Sequence, residues 1–288
     1  MALAAVCFFW GTTYLGIRMA LESFPPLILV ASRFLLSGTL ILVAAKLWGY
    51  ELPRGRELLL TAISGLLPLG VANSALTYSE TFIPSSLASL YITTAPFWLV
   101  GLEAWSGGDG LRVRTLLAML VGFLGTALLL TPNGQTGFTA NNMKGFLLLQ
   151  LGNLAWAAGS VLFRRRGAGE KRCHPIVSGG VQQLATGLAV GAAVLLAPAQ
   201  APIAWSTRGN LALLYLVFFG SIVGYSAYVY CLDKLPMSLV STYTYINPLV
   251  AVSLGWLFYR EPAGWRELAA MAIIFVGVYL VKRSQRRA

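Results

Sequence analysis

The stretch Ile83–Trp105, IPSSLASLYITTAPFWLVGLEAW, decides how this chain is read, because it occurs twice. The second copy begins at Leu235 and reads LPMSLVSTYTYINPLVAVSLGWLF. Pro84 pairs with Pro236, Ser86 with Ser238, Ser89 with Ser241, Tyr91 with Tyr243 and Pro96 with Pro248, at one ungapped separation of 236 − 84 = 152 residues. Each copy is apolar and long enough to cross a bilayer as a helix. Each has a proline near its middle and a tyrosine about one and a half turns before it.

Composition gives the class. The 288 residues are 57% hydrophobic and 11% charged, with a mean hydropathy of +0.71. A soluble domain carries about 25% charged residues, so this chain lacks the charge to cover a watery surface. The net charge of +11 does not point to nucleic acid, because the basic residues lie between apolar segments. Cys7, Cys173 and Cys231 show neither disulfide-framework nor zinc spacing. The first apolar run starts at Ala2 with no basic segment before it and carries Trp10, Thr12 and Thr13. A cleaved signal peptide is therefore not expected, and the missing leader suggests a trimmed start.

Working outward from the doubled stretch, spans are predicted near 3–20, 27–47, 58–80, 84–105, 113–131, 143–164, 175–197, 209–231, 237–258 and 265–282. Pro25-Pro26, Gly107-Gly108, Thr131–Gly134 and Pro198 with Pro202 punctuate them. Fifteen Lys and Arg, among them Arg54, Arg112, the Arg164–Arg172 run and Arg283, fall on one side. Arg18, Lys144, Arg208, Arg260 and Arg266 fall on the other, and Arg33 lies inside a span. Both termini and the Arg164–Arg172 loop are therefore predicted to be cytoplasmic.

The repeat reaches further. The same separation pairs Ser74 with Ser226, Tyr78 with Tyr230, Phe123 with Phe275 and Gly125 with Gly277, and shorter ones pair Pro26 with Pro175 and Gly38 with Gly187. Five spans form each half, 1–133 and 134–288. Five is odd, so the second half enters from the opposite face. The predicted fold is an all-α polytopic membrane protein, ten transmembrane helices as two inverted five-helix repeats. Secondary transporters use that plan to alternate about a midplane site.

The FWGTTYLGIRMAL opening, the FPPLILVASRFLLSG second span, the doubled P-x-S-L…Y…P helix and the trailing GFLGTALLLTP and FVGVYLVKR together resemble the EamA-type family of the drug/metabolite transporter superfamily. The resemblance covers nearly the whole chain, and the mix of aromatic positions is most similar to its bacterial aromatic amino acid exporter branch. It implies an inner-membrane protein of ten helices with a substrate cavity between the halves, lined mainly by helices 1, 3, 4, 6, 8 and 9. It also implies that helices 5 and 10 are peripheral or at a dimer contact, with the protein a monomer or weak homodimer.

The residues offer candidates of their own. Pro96 and Pro248 free the carbonyls of Ile92 and Thr244. Each is either a structural kink or a hinge facing the pathway. Helical spacing groups Tyr91, Thr94 and Trp98; Tyr243 and Asn247; Tyr225 and Tyr228; Ser74 and Tyr78; Trp10 and Tyr14; and Asn153, Trp156 and Ser160. These faces mix aromatic rings with hydroxyls and amides, as a cavity lining or as helix packing. A lining of this kind suits an ammonium by cation–π contact and a polar end by hydroxyls. Loss of Trp98 or Trp156 is expected to cut transport. Arg33 is favoured as structural, near the external end of its span. Glu80 and Glu103, near span ends, are candidates for proton coupling. Gly187-x-x-x-Gly191 and Gly220-x-x-x-Gly224 suit close helix packing, or at the second pair sliding.

No nucleophile–base pair, metal motif or phosphate loop is present, so neither enzyme, cofactor nor metal is expected. The expected function is a carrier exporting small amphipathic metabolites, aromatic or other apolar amino acids first. The alternative is a multidrug or organic-cation permease working as a proton antiporter, with a channel-like facilitator less favoured. The bilayer and the substrate are the only partners expected.

Overall fold

The computed structural model describes residues 1–83, 85–107, 112–130, 139–165, 173–197, 201–259 and 265–286. Pro84, Gly108, the Thr131–Gly134 turn with the 133/134 boundary, the Arg166–Arg172 run, Pro198 and Arg260 lie outside the described residues. Every regular element among the described residues is helical.

The first half runs α1 (Ala2–Leu21), α2 (Pro26–Leu47), α3 (Gly55–Gly65), a π-helical stretch Leu66–Ala72, α4 (Asn73–Ser79), α5 (Ser85–Ile92), α6 (Ala95–Trp105) and α7 (Val113–Leu130). The second runs α8 (Ala140–Arg165), α9 (Pro175–Leu196), α10 (Thr207–Tyr215), a π-helical stretch Leu216–Val223, α11 (Gly224–Lys234), α12 (Met237–Val240), α13 (Tyr243–Tyr259) and α14 (Trp265–Arg286). Among the described residues, six continuous helical segments are long and apolar enough to cross a membrane: α1, α2, Gly55–Ser79, α8, α9 and Thr207–Lys234. Shorter apolar stretches lie in α7 and α14. The chain is a multi-pass, all-helical membrane protein.

Local chemistry sets the boundaries. Pro26 and Pro175 occupy the first turns of α2 and α9, where a missing N–H costs nothing. Gly49 (φ +81°) follows the end of α2 in the left-handed region that glycine enters without strain. The two doubled stretches break differently. In the first, the helix stops at Ile92 and restarts at Ala95, with Pro96 in the first turn of α6. In the second, the break falls earlier, at Ser241–Thr242, and Pro248 lies inside continuous α13.

The closest pairings join the halves: α2 lies along α9, α7 along α14, α1 along α13 and α6 along α8. Two of these contacts are reciprocal. A Cβ at Gly38 would lie 2.3 Å from the Leu184 nitrogen, and one at Gly187 would lie 2.5 Å from the Leu35 nitrogen. A Cβ at Gly125 would lie 2.9 Å from the Ile274 nitrogen, and one at Gly277 would lie 2.5 Å from the Gly122 nitrogen. In both pairs each glycine meets backbone one turn from the other. Glycine lets helices approach this closely where no hydrophobic force separates lipid from protein. A polar tie adds to the first pair, where Ser37 donates to Gln183 Oε1 at 2.5 Å, and Gln182 of α9 donates to Ser64 Oγ of α3 at 3.0 Å.

Candidate functional site

A cavity with about 730 Å³ of empty space, counted to its open mouth, lies where the halves meet. A volume of this order holds a small metabolite. α1 contributes Trp10, Thr13, Tyr14 and Ile17, and α2 contributes Arg33 and Phe34. Leu69, Ala72, Asn73 and Leu76 come from the π stretch and α4, and Ile92 and Ala95 flank the break between α5 and α6. The second half supplies Leu149, Gly152, Asn153 and Trp156 of α8, Gly220 and Tyr225, and Tyr243 and Asn247 of α13.

The aromatic wall is built on Trp10. Its ring meets Trp156 edge-on at 5.3 Å, Tyr243 edge-on at 5.0 Å and Tyr228 tilted at 5.0 Å. Each such pair contributes about 0.5–1.5 kcal/mol beyond its buried area. The polar ends of the rings are tied behind the wall. Trp10 Nε1 donates to the Gly220 carbonyl at 2.9 Å. Trp156 Nε1 donates to the Tyr228 hydroxyl at 2.8 Å, which also bonds Ser160 at 2.8 Å. With their N–H groups satisfied, the rings present faces and edges to the cavity. Gly224 makes room for this wall, since a Cβ there would lie 2.5 Å from Trp10 Nε1. The Gly220–Gly224 pair thus houses cavity side chains as well as packing helices.

Polar groups interrupt the wall. Tyr14 and Asn247 are both part of the lining. With its amide oriented to suit its neighbours, Asn247 donates to the Cys7 and Tyr243 carbonyls, both at 3.0 Å. Asn153 spans to the first broken helix, donating to the Tyr91 carbonyl at 3.0 Å and to Thr94 Oγ1 at 2.9 Å. The freed carbonyl engaged there is that of Tyr91, one residue before the Ile92 carbonyl expected from Pro96, because the helix breaks at Thr93–Thr94 instead of merely kinking.

Of the expected site residues, Trp10, Tyr14, Asn153, Trp156, Tyr225, Tyr243 and Asn247 line this cavity. Ser160 and Tyr228 lie behind it as supports. Tyr91, Thr94 and Trp98 do share a face, but it meets Gln150 of α8 outside the lining: Thr94 Oγ1 and Trp98 Nε1 donate to Gln150 Oε1 at 2.8 and 3.0 Å. Trp98→Ala is therefore expected to change transport by less than about threefold, as initial rates in proteoliposomes will register; the larger loss expected from sequence does not fit this placement. Ser74 and Tyr78 also fall outside, and Tyr78 is 47% exposed. The π stretch explains this, since its wider turns shift the helical phase. Asn73 and Leu76 then face the cavity instead. Only Pro68 within that span hinted at the irregularity.

The two acidic candidates differ. Glu103 is engaged: Arg164 Nε lies 3.1 Å from its carboxylate, and Arg164 Nη1 donates to the Leu235 carbonyl at 2.9 Å. These bonds tie α6 and α8 to the end of α11, a structural tie where proton coupling was considered. Glu80, just past α4, is 4% exposed, and neither carboxylate oxygen has a hydrogen-bond partner. It lies one turn beyond Leu76 on the cavity-facing stripe, with Arg18 and Tyr14 near enough to interact with it.

An apolar helical bundle enclosing an aromatic cavity between its halves defines a transporter-like membrane protein. The chain matches the EamA-like transporter family over residues 1–131 and 143–283. It is 34% identical to the uncharacterized inner membrane transporter YedA of Escherichia coli (strain K12), over 97% of this chain and 89% of that protein. It is 23% identical to a probable terminal-alkyne amino-acid exporter of Streptantibioticus cattleyicolor, over 95% and 90%. A solved crystal structure at 20% identity superposes with a TM-score of 0.83, covering 99% of this chain and 96% of the other. The chain belongs to the EamA-like transporter family and is a membrane transporter of the drug/metabolite type.

Proposed function

We propose that this protein is an inner-membrane carrier that exports small amphipathic metabolites, aromatic and other apolar amino acids foremost. It works by alternating access of two inverted five-helix halves, 1–133 and 134–288, with both termini in the cytoplasm, as a monomer or weak homodimer. The observation that carries the reading is the cavity's lining: aromatic faces from α1, α8, α11 and α13 beside the amides of Asn153 and Asn247. The rings suit an apolar side chain and the amides its polar end. The reciprocal glycine contacts support the inverted repeat, as does the recurrence of a π stretch in both halves, at Leu66–Ala72 and Leu216–Val223. The break beside Pro96 and the proline-containing turn of α13 at Pro248 serve as hinges. The similarity to an amino-acid exporter points the same way.

The test is uptake into proteoliposomes of a labelled panel of aromatic and aliphatic amino acids, quaternary amines and phosphosugars. Saturable movement of phenylalanine or leucine is expected. Movement of a phosphosugar alone overturns the substrate class.

Glu80 favours a second reading, in which export is driven by protons. An unpaired carboxylate away from water is costly, so a buried carboxyl here exchanges its proton as the cavity opens and closes. Glu80→Gln is then expected to abolish transport driven by a pH gradient while sparing exchange at equal pH. Equal loss of both rates, or of neither, counts against coupling at this residue.

A further inference from the structure

Arg33 carries a charge that no carboxylate among the described residues answers. It is 6% exposed, near the start of α2, and its guanidinium lines the cavity. Nε donates to Ser221 Oγ at 2.7 Å, and Cζ lies 5.1 Å from the centre of the Phe34 ring. Nη2 lies against Gly220, where an added Cβ would come within 2.7 Å. Among the described residues no carboxylate pairs with Arg33, and no hydrogen-bond acceptor meets Nη1 or Nη2. Glu80, the other buried charge candidate near the cavity, makes no bond to Arg33, since neither of its carboxylate oxygens has a hydrogen-bond partner.

A guanidinium keeps its charge in any protein environment. An uncompensated charge in a membrane protein's interior is costly and marks a functional position. Ser221 and the Phe34 ring fix the group from two sides. That leaves the terminal nitrogens as an oriented fork, the geometry that accepts both oxygens of a carboxylate.

We propose that Arg33 is the anion subsite of the cavity: Nη1 and Nη2 take the carboxylate of the substrate while its apolar body lies against the Trp10–Trp156 wall. This rests on the cavity being the transport site, and it narrows the substrate class. A ligand must bring a carboxylate, and a purely cationic one meets a fixed like charge in a poorly screened site. The organic-cation alternative is thereby disfavoured. One guanidinium with no second cation in the lining suits a monoanion better than a phosphate ester.

The test is direct binding to the purified, full-length protein by calorimetry. It uses probes that share one ring: phenylalanine, hydrocinnamate (carboxylate without amine) and phenylethylamine (amine without carboxylate). Pentanoate supplies the carboxylate without a ring. Phenylalanine and hydrocinnamate are expected to bind and phenylethylamine to fail. Arg33→Gln is expected to weaken the carboxylate probes about ten- to hundredfold, the worth of a charge-assisted bond. Arg33→Lys is expected to recover part of the loss. Ser221→Ala frees Nε alone, so it is expected to weaken them less than Arg33→Gln.

Phenylethylamine binding as tightly as phenylalanine overturns the proposal, as does a folded Arg33→Gln that keeps hydrocinnamate within threefold, or a wild-type protein that binds no carboxylate. Should Arg33→Gln not fold, the wild-type preference for hydrocinnamate over phenylethylamine still decides. If pentanoate binds through Arg33 while the ring-bearing probes do not, the anion subsite stands and the aromatic amino-acid reading falls.

Discussion

Gly38→Ala is expected to cost the folded protein about 3 kcal/mol, the upper part of the range for overpacking a tight interior. The added methyl lands 2.3 Å from the Leu184 nitrogen and 2.7 Å from its Cα. Those are backbone atoms, so no rotamer change relieves the clash, and α2 must move off α9. Gly187→Ala meets the Leu35 backbone in the same way, at 2.5 and 2.9 Å. Because the two sites lie on one interface, the double variant is expected to cost less than the sum of the singles: once the helices separate for one methyl, part of the room for the other exists. Gly101→Ala in α6 is the control. A Cβ there meets nothing within 4 Å, and the better helix propensity of alanine is expected to raise stability by up to about 1 kcal/mol. Thermal unfolding followed by size-exclusion chromatography measures all four. Additive losses at Gly38 and Gly187, or a Gly38→Ala as stable as the wild type, contradict the packing described.

Trp156→Ala is expected to lower transport at least about tenfold while leaving the yield of folded protein near normal. Trp156 is half-buried, lines the cavity and supplies one face of the wall around Trp10. Its loss removes contact with the substrate and widens the site, and tenfold corresponds to about 1.4 kcal/mol, within reach of one lost aromatic contact. Trp10→Ala deletes a side chain only 8% exposed that touches four other rings. It is expected to lose stability as well as transport, by about 3–5 kcal/mol, which makes Trp156 the cleaner probe. Tyr228→Phe removes only the hydroxyl that holds Trp156 Nε1 and Ser160. It is expected to produce a smaller loss than Trp156→Ala. Initial uptake rates at equal protein density check the order, and full activity in Trp156→Ala separates this cavity from transport.

Much of this was legible from residue types. The Pro26–Pro175 and Gly38–Gly187 pairs, read as repeats, sit at matching helix starts and at one reciprocal contact. Seven aromatic and amide positions chosen by helical spacing reach the lining. What escaped the sequence has physical causes. A π stretch leaves no periodic signature, so Ser74 and Tyr78 were placed one face away from Asn73 and Leu76. The break at Thr93–Thr94 turned Tyr91, Thr94 and Trp98 toward Gln150, and a proline does not encode whether its helix runs on, as through Pro248, or stops, as before Pro96. Arg33 was visible as a charge within a span, yet Ser221 and Gly220, which meet its guanidinium, come from distant sequence. Glu80 and Glu103 looked alike as acids near span ends, and only tertiary structure gave Arg164 to one and left the other unpartnered.

The central claim is that substrate crosses by alternate exposure of one cavity between two halves, and counterflow tests it most directly. Proteoliposomes loaded with unlabelled phenylalanine and diluted into labelled phenylalanine are expected to accumulate label transiently above equilibrium, with saturable initial rates that fall in Trp156→Ala. Label that only equilibrates, at a rate linear in concentration and indifferent to the internal load, contradicts the carrier and describes a pore.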